Sequence, residues 1–346
     1  MKKFTIKALT MVFIMLSLLL SGCGSNDPVS IDEPDEVETV TFPDALLEAQ
    51  IRIALDIDDD EDITPDMMLQ LEEFNIDASD NFSGDISGIE DLTGLEYAKN
   101  LTLLRLSYTS VTDLSPISEL ENIEYLRFNN TAITDISPIS GYTSLTYFNA
   151  NTVTGLEDMS PLAGNSGLQT AILREVPFGN AGMSTIRQLT SLHRINMRDT
   201  GVTDITVLGE LMAEGALLDT TPGAIEENGG ADLDLRGLSI EDWSPIAPYV
   251  DQINDFDGLP ANEVVTIPDS ELDNVVRSLL GIESGSDVTT LYMTGLDTLN
   301  VSGIVSISDL TGLENAPNIR YLRFGETSVT DLTPIADLEK VEYPLQ

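Results

Sequence analysis

The sequence predicts an α/β solenoid, a curved horseshoe with a parallel sheet on its concave side, short 3-10 or α turns on its convex side and a helical N-terminal cap. Three observations predict it: a 22-residue period over residues 101–143, an alternating L-x-L segment that opens each unit, and a D-[hydrophobic]-S-P segment that follows it. Such a unit cannot bury its apolar side alone, so stacked units must share one continuous core.

The first element, residues 1–22, is predicted to be an export signal. A basic start precedes an apolar run, from about residue 8 to residue 20, that is too short to span a bilayer well. The run ends in "LSGC", which resembles the lipobox of bacterial lipoproteins. The resemblance implies that Cys23, the only cysteine, is lipidated and that the chain is lipid-anchored in the bacterial cell envelope, outside the cytoplasm. An uncleaved anchor helix is the alternative.

Two segments precede the repeats. Residues 23–39 are rich in Asp, Glu, Pro and Ser and poor in large apolar residues, a composition that predicts a flexible acidic tether. Residues 40–85, which we call the first cap, open with Leu46, Leu47, Ile51 and Leu55 at helical spacing. This pattern predicts a helical cap that covers the open end of the first repeat.

The repeat array is predicted over residues 86–259. Apolar residues recur at positions 1, 4, 6, 11, 14, 17 and 20 of the unit, which predicts that they are buried. Serine before proline predicts a capping hydroxyl at a short helical turn. The unit at about 167–190 lacks the D-x-S-P segment, and residues 213–230 predict an inserted loop.

These units resemble the internalin-type leucine-rich repeat. This sequence departs from that pattern at position 9, where Thr109, Thr131 and Thr200 stand in place of the usual asparagine. The departure implies one side-chain bond to the backbone at each threonine and a weaker asparagine ladder. The resemblance also implies a binding protein with no catalytic activity.

The cap and the start of the array are written twice. Residues 265–282 have the layout of residues 40–57, and residues 304–335 run in step with residues 86–117. We therefore expect a second module, residues 264–346, made of a duplicated cap and a short partial repeat. The sequence leaves open whether it rests on the first array or is truncated.

Charge and strand position together predict a binding surface. With 59 acidic and 16 basic residues, a net charge of −43, the chain should repel nucleic acid. Several arginines and tyrosines nevertheless stand at outward positions of the predicted strands, residue types that are enriched at binding hot spots. The candidate partner-binding residues are Arg105, Tyr125, Arg127, Tyr147, Asn149, Arg174, His193, Arg194, Arg198 and Arg236. The partner would be a protein or an acidic glycan that carries carboxylates.

Three other interpretations stay open. The arginines can instead pair with neighbours such as Glu124 and Asp234, and the chain can be a structural spacer or, less plausibly, a hydrolase with an atypical carboxylate site. No catalytic residue and no cofactor is predicted. Asp56, Asp58 and Asp60 match the opening of a calcium-binding loop, but the closing glutamate is missing, so a solvated acidic loop is favoured.

Overall fold

The structure, a computed structural model, describes residues 38–76, 86–218, 232–253 and 255–338. The predicted export signal, Cys23 and nearly all of the predicted tether lie outside these residues. Among the described residues, no helix combines the length and the apolar character that crossing a membrane requires.

One parallel sheet of eight strands runs through the array, and each strand pairs with the next one along the chain. Its strands are β1 (Glu73–Asn75), β2 (Leu103–Arg105), β3 (Tyr125–Arg127), β4 (Tyr147–Asn149), β5 (Thr170–Ile172), β6 (Arg194–Asn196), β7 (Leu233–Asp234) and β8 (Phe256–Asp257). Each of the strands β2 to β6 turns its central residue inward, so that Leu104, Leu126 and Phe148 stack in register with no exposed surface. The predicted inward positions of the first two units are confirmed, because all of them are buried.

Short 3-10 turns cross the convex side at Ser115–Ile117, Ser137–Ile139 and Ser160–Leu162. The prediction that serine caps these turns is wrong. The aspartate two residues earlier is the acceptor: Asp113 Oδ1 accepts the backbone N–H of Ser115 at 2.8 Å, and Asp135 repeats the bond at 2.7 Å. A carboxylate is a stronger acceptor than a hydroxyl, and hydrogen bonds from Ser115 lower the pKa of Asp113.

Two convex segments are longer helices. The unit without the D-x-S-P segment forms α3 (Gly179–Ile186), and α4 (Thr206–Ala213) precedes the predicted inserted loop. The loop residues up to Leu218 pack on the array, where the backbone N–H of Leu217 donates to the carbonyl of Leu192 at 2.7 Å. Residues 219–231 of the predicted loop lie outside the described residues.

The position-9 threonines each bond within their own unit. The hydroxyl of Thr109 donates to the carbonyl of Leu106 at 2.7 Å, and Thr131 and Thr200 repeat this bond three residues back at 2.8 Å. One side-chain bond to the backbone is therefore made at each threonine, as predicted.

In the first cap, one aspartate joins the helix to the array. Helix α1 (Ala45–Leu55) begins at Asp44, whose Oδ1 accepts the N–H groups of Leu46 and Leu47. Its Oδ2 accepts the N–H of Glu90 at 2.8 Å and that of Asp91 at 3.3 Å, at the start of the repeats. The prediction of an all-helical cap is incomplete, because β1 follows the short helix α2 (Pro65–Met68) and opens the sheet. Leu46, expected on the apolar face, is 43% exposed.

The second module repeats this design. It contains α5 (Ser270–Leu280), α6 (Thr290–Met293), β9 (Thr298–Asn300) and β10 (Tyr321–Arg323), and its two strands form a separate parallel sheet. Asp269 caps α5 and also accepts the N–H groups of Ser308 and Asp309, as Asp44 does in the first cap.

The second module rests on the last unit of the array. The hydroxyl of Thr294 accepts the backbone N–H of Trp243 at 2.7 Å. Asn318 Nδ2 donates to the carbonyl of Glu241 at 2.8 Å and to that of Thr294 at 2.7 Å. Leu291 of α6, which is 1% exposed, belongs to the hydrophobic core of the array. Tyr292, which is partly buried, packs against the cores of both the array and the second module. This contact, which we call the junction, therefore combines apolar packing with a few directed hydrogen bonds.

Candidate ligand-binding surface

Three of the predicted concave residues form one stack across neighbouring strands. The rings of Tyr125 and Tyr147 are parallel within 4°, with centroids 3.9 Å apart. The guanidinium carbon of Arg105 lies 4.6 Å from the centroid of Tyr125, within cation–π distance. The parallel register explains the stack, because Tyr125 and Tyr147 occupy matching places on β3 and β4. We call these three residues the Arg–Tyr–Tyr stack.

Two buried asparagines bond to side chains in and beside this stack. Asn129, which is 2% exposed, accepts hydrogen bonds from Arg127 Nε at 2.5 Å and from the Ser107 hydroxyl at 2.6 Å. Asn149 Nδ2 donates to the hydroxyl of Tyr147 at 3.2 Å. Asn149 was expected to face a partner, but it is buried and holds Tyr147 in place instead.

The electrostatics keep this part of the surface cationic. Burial, followed by the hydrogen bond with Tyr147, raises the pKa of Tyr125, so its phenol stays neutral. Within the part of the chain that the structure describes, Arg105 makes no ion pair, and its buried Nε has no hydrogen-bond partner. Its positive charge is therefore offset by aromatic faces rather than by a carboxylate.

Two other concave arginines differ from Arg105 because each is paired with a carboxylate. Arg174 pairs with Glu175 at 2.8 Å, and Arg198 pairs with Asp199 at 3.1 Å. In each pair the carboxylate is the next residue along the chain, so the pairing is local. His193 and Arg194 are half-buried beside them.

At the far end of the sheet, Arg236 is neutralised twice. Its Nη2 lies 2.7 Å from Asp234 and 2.9 Å from Asp257. Asp234 is 1% exposed and also accepts from Asn196 Nδ2 at 3.0 Å. Burial raises the pKa of Asp234, but its hydrogen bonds with Arg236 outweigh this and lower it below the usual value. The interpretation that arginines pair with neighbouring carboxylates thus describes this half of the sheet, whereas Arg105 stands apart from it.

The acidic loop that opens like a calcium-binding loop is bound by an arginine of α1. Arg52 Nη1 donates to the carbonyls of Asp58 at 2.9 Å and Glu61 at 2.8 Å, while its Nε and Nη2 bind Glu48. In the second module Arg277 holds the carbonyl of Ser286 at 2.7 Å in the same way. Among the described residues, no three acidic or histidine side chains are arranged to hold a metal ion.

Sequence reasoning did not find the supporting residues Ser107 and Asn129. Both follow an outward arginine by two positions, so strand alternation placed them on the concave side. Only the structure shows that Ser107 and Asn129 are buried and bonded to each other across β2 and β3.

Comparisons with known proteins identify the repeats. Residues 99–141 match the family model described as Leucine Rich repeats (2 copies). A search of curated proteins found no match.

Solved structures of bacterial proteins resemble the chain at low similarity. An internalin (InlF) of Listeria monocytogenes is 22% identical with a TM-score of 0.45, over 87% of this chain and 95% of that chain. Internalin C2 of the same organism is 19% identical with a TM-score of 0.47, over 88% and 94%. The CBM51-2 and INT domains of ZmpB from Clostridium perfringens, in complex with GlcNAc, are 31% identical over 29% of this chain and 19% of that chain, with a TM-score of 0.22.

The fold follows from the chain's own geometry and from the matched repeats. Parallel strands recur once per unit, a 3-10 turn or a short helix crosses the opposite side, and the buried positions follow the 22-residue period. The chain carries leucine-rich repeats and has the curved solenoid fold of leucine-rich repeat proteins.

Proposed function

We propose that this chain is a non-catalytic, lipid-anchored binding protein of the bacterial cell envelope, and that its concave face binds a protein partner rich in carboxylates. The anchor would be a lipid on Cys23, with residues 23–39 as the tether. The proposal of a surface location is supported by the "LSGC" segment, and the proposal of binding is supported by the Arg–Tyr–Tyr stack.

The observation that carries the binding proposal is the isolation of Arg105. Arg105 lies over the ring of Tyr125 and makes no ion pair within the described residues, and a guanidinium can bind a ligand carboxylate through two parallel bonds. The neighbouring rings are fixed by stacking and by Asn149, so little side-chain entropy would be lost on binding. Tyrosine and arginine in such a place are typical of binding hot spots.

The chemistry of the ligand follows from the charge of the whole molecule. At a net charge of −43, the molecule as a whole repels most anions, so only a ligand with carboxylates placed to meet Arg105 would gain affinity. An acidic glycan offers the same carboxylates and is the alternative source of that chemistry.

A capture experiment with two matched variants tests this proposal. The chain is used as bait against envelope extract and growth medium, beside an Arg105→Ser/Tyr147→Ser variant and an Arg174→Ser/Arg198→Ser control. Both variants change two concave residues, but the control removes arginines that already have carboxylate partners. We expect the partner to be lost with the first variant and kept with the second.

The other outcomes have distinct meanings. Capture by all three baits would mean that the binding site lies outside the stack. Capture by none of them would favour the structural-spacer alternative. Digesting the extract with a protease before capture separates a protein partner, which would be lost, from a glycan, which would remain. Turnover of a captured molecule, abolished by one Asp or Glu change, would favour the hydrolase alternative.

A further inference from the structure

The first cap has an open groove on its surface. It encloses about 570 Å³ between α1 and the acidic loop that follows it. Its floor is apolar and includes Ala45, Ala49, Ile53 and Ile57, and its rim carries acidic residues such as Asp58. Ile53 is 64% exposed, an unusual position for a large aliphatic side chain.

The second module shows that this apolar floor is not needed for the cap to fold. Helix α5 has the same capping aspartate and the same arginine as α1, in the same places. The residues that match Ala45, Ala49 and Ile53 are Ser270, Asn274 and Ser278, all exposed, whereas Ile57 is matched by another isoleucine, Ile282. The cap therefore folds with polar residues at these three helix positions, so folding does not explain why α1 has apolar residues there.

The acidic rim also differs between the two caps, because the first cap has more acidic residues there. Asp56 and Asp59 of the first cap correspond to Gly281 and Ser284 of the second module, whereas Asp58 corresponds to another acidic residue, Glu283. The only cation that lines the groove, Arg52, is already bound to Glu48 and to two backbone carbonyls, so it leaves the rim carboxylates without a partner. The first cap therefore has more apolar and more acidic residues along this groove than the second module has at the matching positions.

We propose that this groove binds a basic amphipathic helix of a partner protein. The apolar side of such a helix would cover Ile53 and Ile57, and its flanking Lys or Arg residues would meet the rim carboxylates. A second copy of this chain fits less well, because its matching groove carries the same negative charge. An anionic membrane is repelled for the same reason.

Size and shape fit this occupant. Helices pack at axis separations of roughly 8–10 Å, and the smaller separations need small side chains at the contact. Ala45 and Ala49 lie one turn apart on α1 and supply that close approach, while Ile53 lies a further turn along.

The test uses the full chain and a labelled synthetic helix of Leu and Lys, with Leu at helical spacing. Fluorescence anisotropy at physiological salt measures its affinity for wild type and for an Ala49→Asn/Ile53→Ser variant, whose new residues are those of α5. Because α5 folds with these residues, the variant should keep its fold, which circular dichroism verifies. Leu279→Ser is the matched control, since Leu279 is 54% exposed on the outer face of α5.

We expect the Ala49→Asn/Ile53→Ser variant to bind the helix about tenfold more weakly or worse, and Leu279→Ser to bind it like wild type. A helix with the same Leu pattern but Glu in place of Lys should not bind. Equal affinity of wild type and the double variant would overturn the proposal, because it would mean general attraction to an acidic protein. Binding of the wild type to neutral lipid vesicles, lost in the same variant, would assign the groove to a lipid surface and also overturn it.

Discussion

The first cap and the cap of the second module are two copies of one design that face different surroundings. In both, an aspartate caps the long helix and accepts backbone N–H groups from the first repeat. In both, an arginine on that helix holds the carbonyls of the following loop. The hydrogen bonds that hold the helix, the following loop and the first repeat together are therefore present in both copies.

The two copies differ where the second module meets the array. The following residues occupy matching positions, with the residue of the first cap named first: Asp66 and Leu291, Met67 and Tyr292, Leu69 and Thr294, and Gln70 and Gly295. Leu291 is buried in the core of the array, whereas Asp66 is exposed. A Cβ at Gly295 would lie 2.6 Å from Ser244 Cβ, so a glutamine like the one at the matching position of the first cap would clash there. The difference indicates that the second cap is shaped to dock on the array and not merely to follow it.

The largest effect on the junction should come from replacing Leu291 of the second cap with the aspartate that the first cap has at the matching position. Leu291→Asp would bury an unpaired carboxylate in the core of the array and destabilise the junction by about 3–5 kcal/mol. Trp243, the only tryptophan, bonds to Thr294 at this contact, so its fluorescence should shift to longer wavelength as the junction opens. The reverse change, Asp66→Leu, should leave the Trp243 signal unchanged. An unshifted spectrum in Leu291→Asp would contradict the docking described here.

A smaller effect is expected from Asn318→Ala. Its side chain bonds both the carbonyl of Glu241 in the array and that of Thr294 in the cap, so its loss leaves two carbonyls with one partner fewer. We expect the junction to weaken by about 1–3 kcal/mol in urea titrations followed by Trp243 fluorescence. The matched control is Asn100→Ala, because Asn100 of the array makes the corresponding bond to the carbonyl of Leu69 in the first cap and takes no part in the junction. Equal shifts in both variants would mean that Asn318 does not hold the junction.

Acid should weaken both caps alike. Burial raises the pKa of Asp44 and of Asp269, but their four backbone hydrogen bonds outweigh it and lower the pKa of each below the usual value. A lowered folded-state pKa contributes stability above the unfolded value of about 3.9, and that stability is lost as the pH falls through the folded value. Asp44→Ala and Asp269→Ala should each cost about 1 kcal/mol at neutral pH, as loss of an N-cap does. Each variant should also flatten the pH dependence of urea unfolding between neutral pH and about pH 3. A pH dependence as steep as that of wild type would contradict the assignment.

The smallest expected effect concerns the ion pairs one turn apart on the two cap helices. Glu48 lies 2.7 Å from Arg52, and Asp273 lies 2.8 Å from Arg277, all four partly exposed. Glu48→Gln and Asp273→Asn should each lower stability by roughly 0.3–0.5 kcal/mol in low salt, and less in high salt. A loss above about 1 kcal/mol in either urea titration would mean that the pair also positions the following loop.

Regular periods made most of the fold predictable. The buried positions of the first two units and the bonds of the position-9 threonines follow from the 22-residue pattern. The capping error at Ser115 has a different cause, because serine and aspartate both stand beside the turn and sequence alone does not say which oxygen reaches the N–H. The junction was not predictable, since it depends on which cap surface meets which repeat.

The position of the candidate surface was predictable from the sequence, but the partners of its arginines were not. Alternation along the strands puts the arginines on the concave side, yet it does not tell which of them meet carboxylates. Arg174 and Arg198 pair with the next residue along the chain, whereas Arg105 stacks on a tyrosine from the following unit. That distinction needs the three-dimensional spacing of side chains on adjacent strands.

The most direct test of the binding face is photo-crosslinking from single sites. A photoreactive phenylalanine analogue replaces Tyr147 in the stack, or Glu119, which is 84% exposed beside a convex turn. Each protein is irradiated in envelope extract and growth medium. The concave binding proposed here predicts one crosslinked partner from position 147, none from position 119, and loss of the 147 product when Arg105→Ser is added. The same partner from position 119, or a 147 product indifferent to Arg105→Ser, would contradict it.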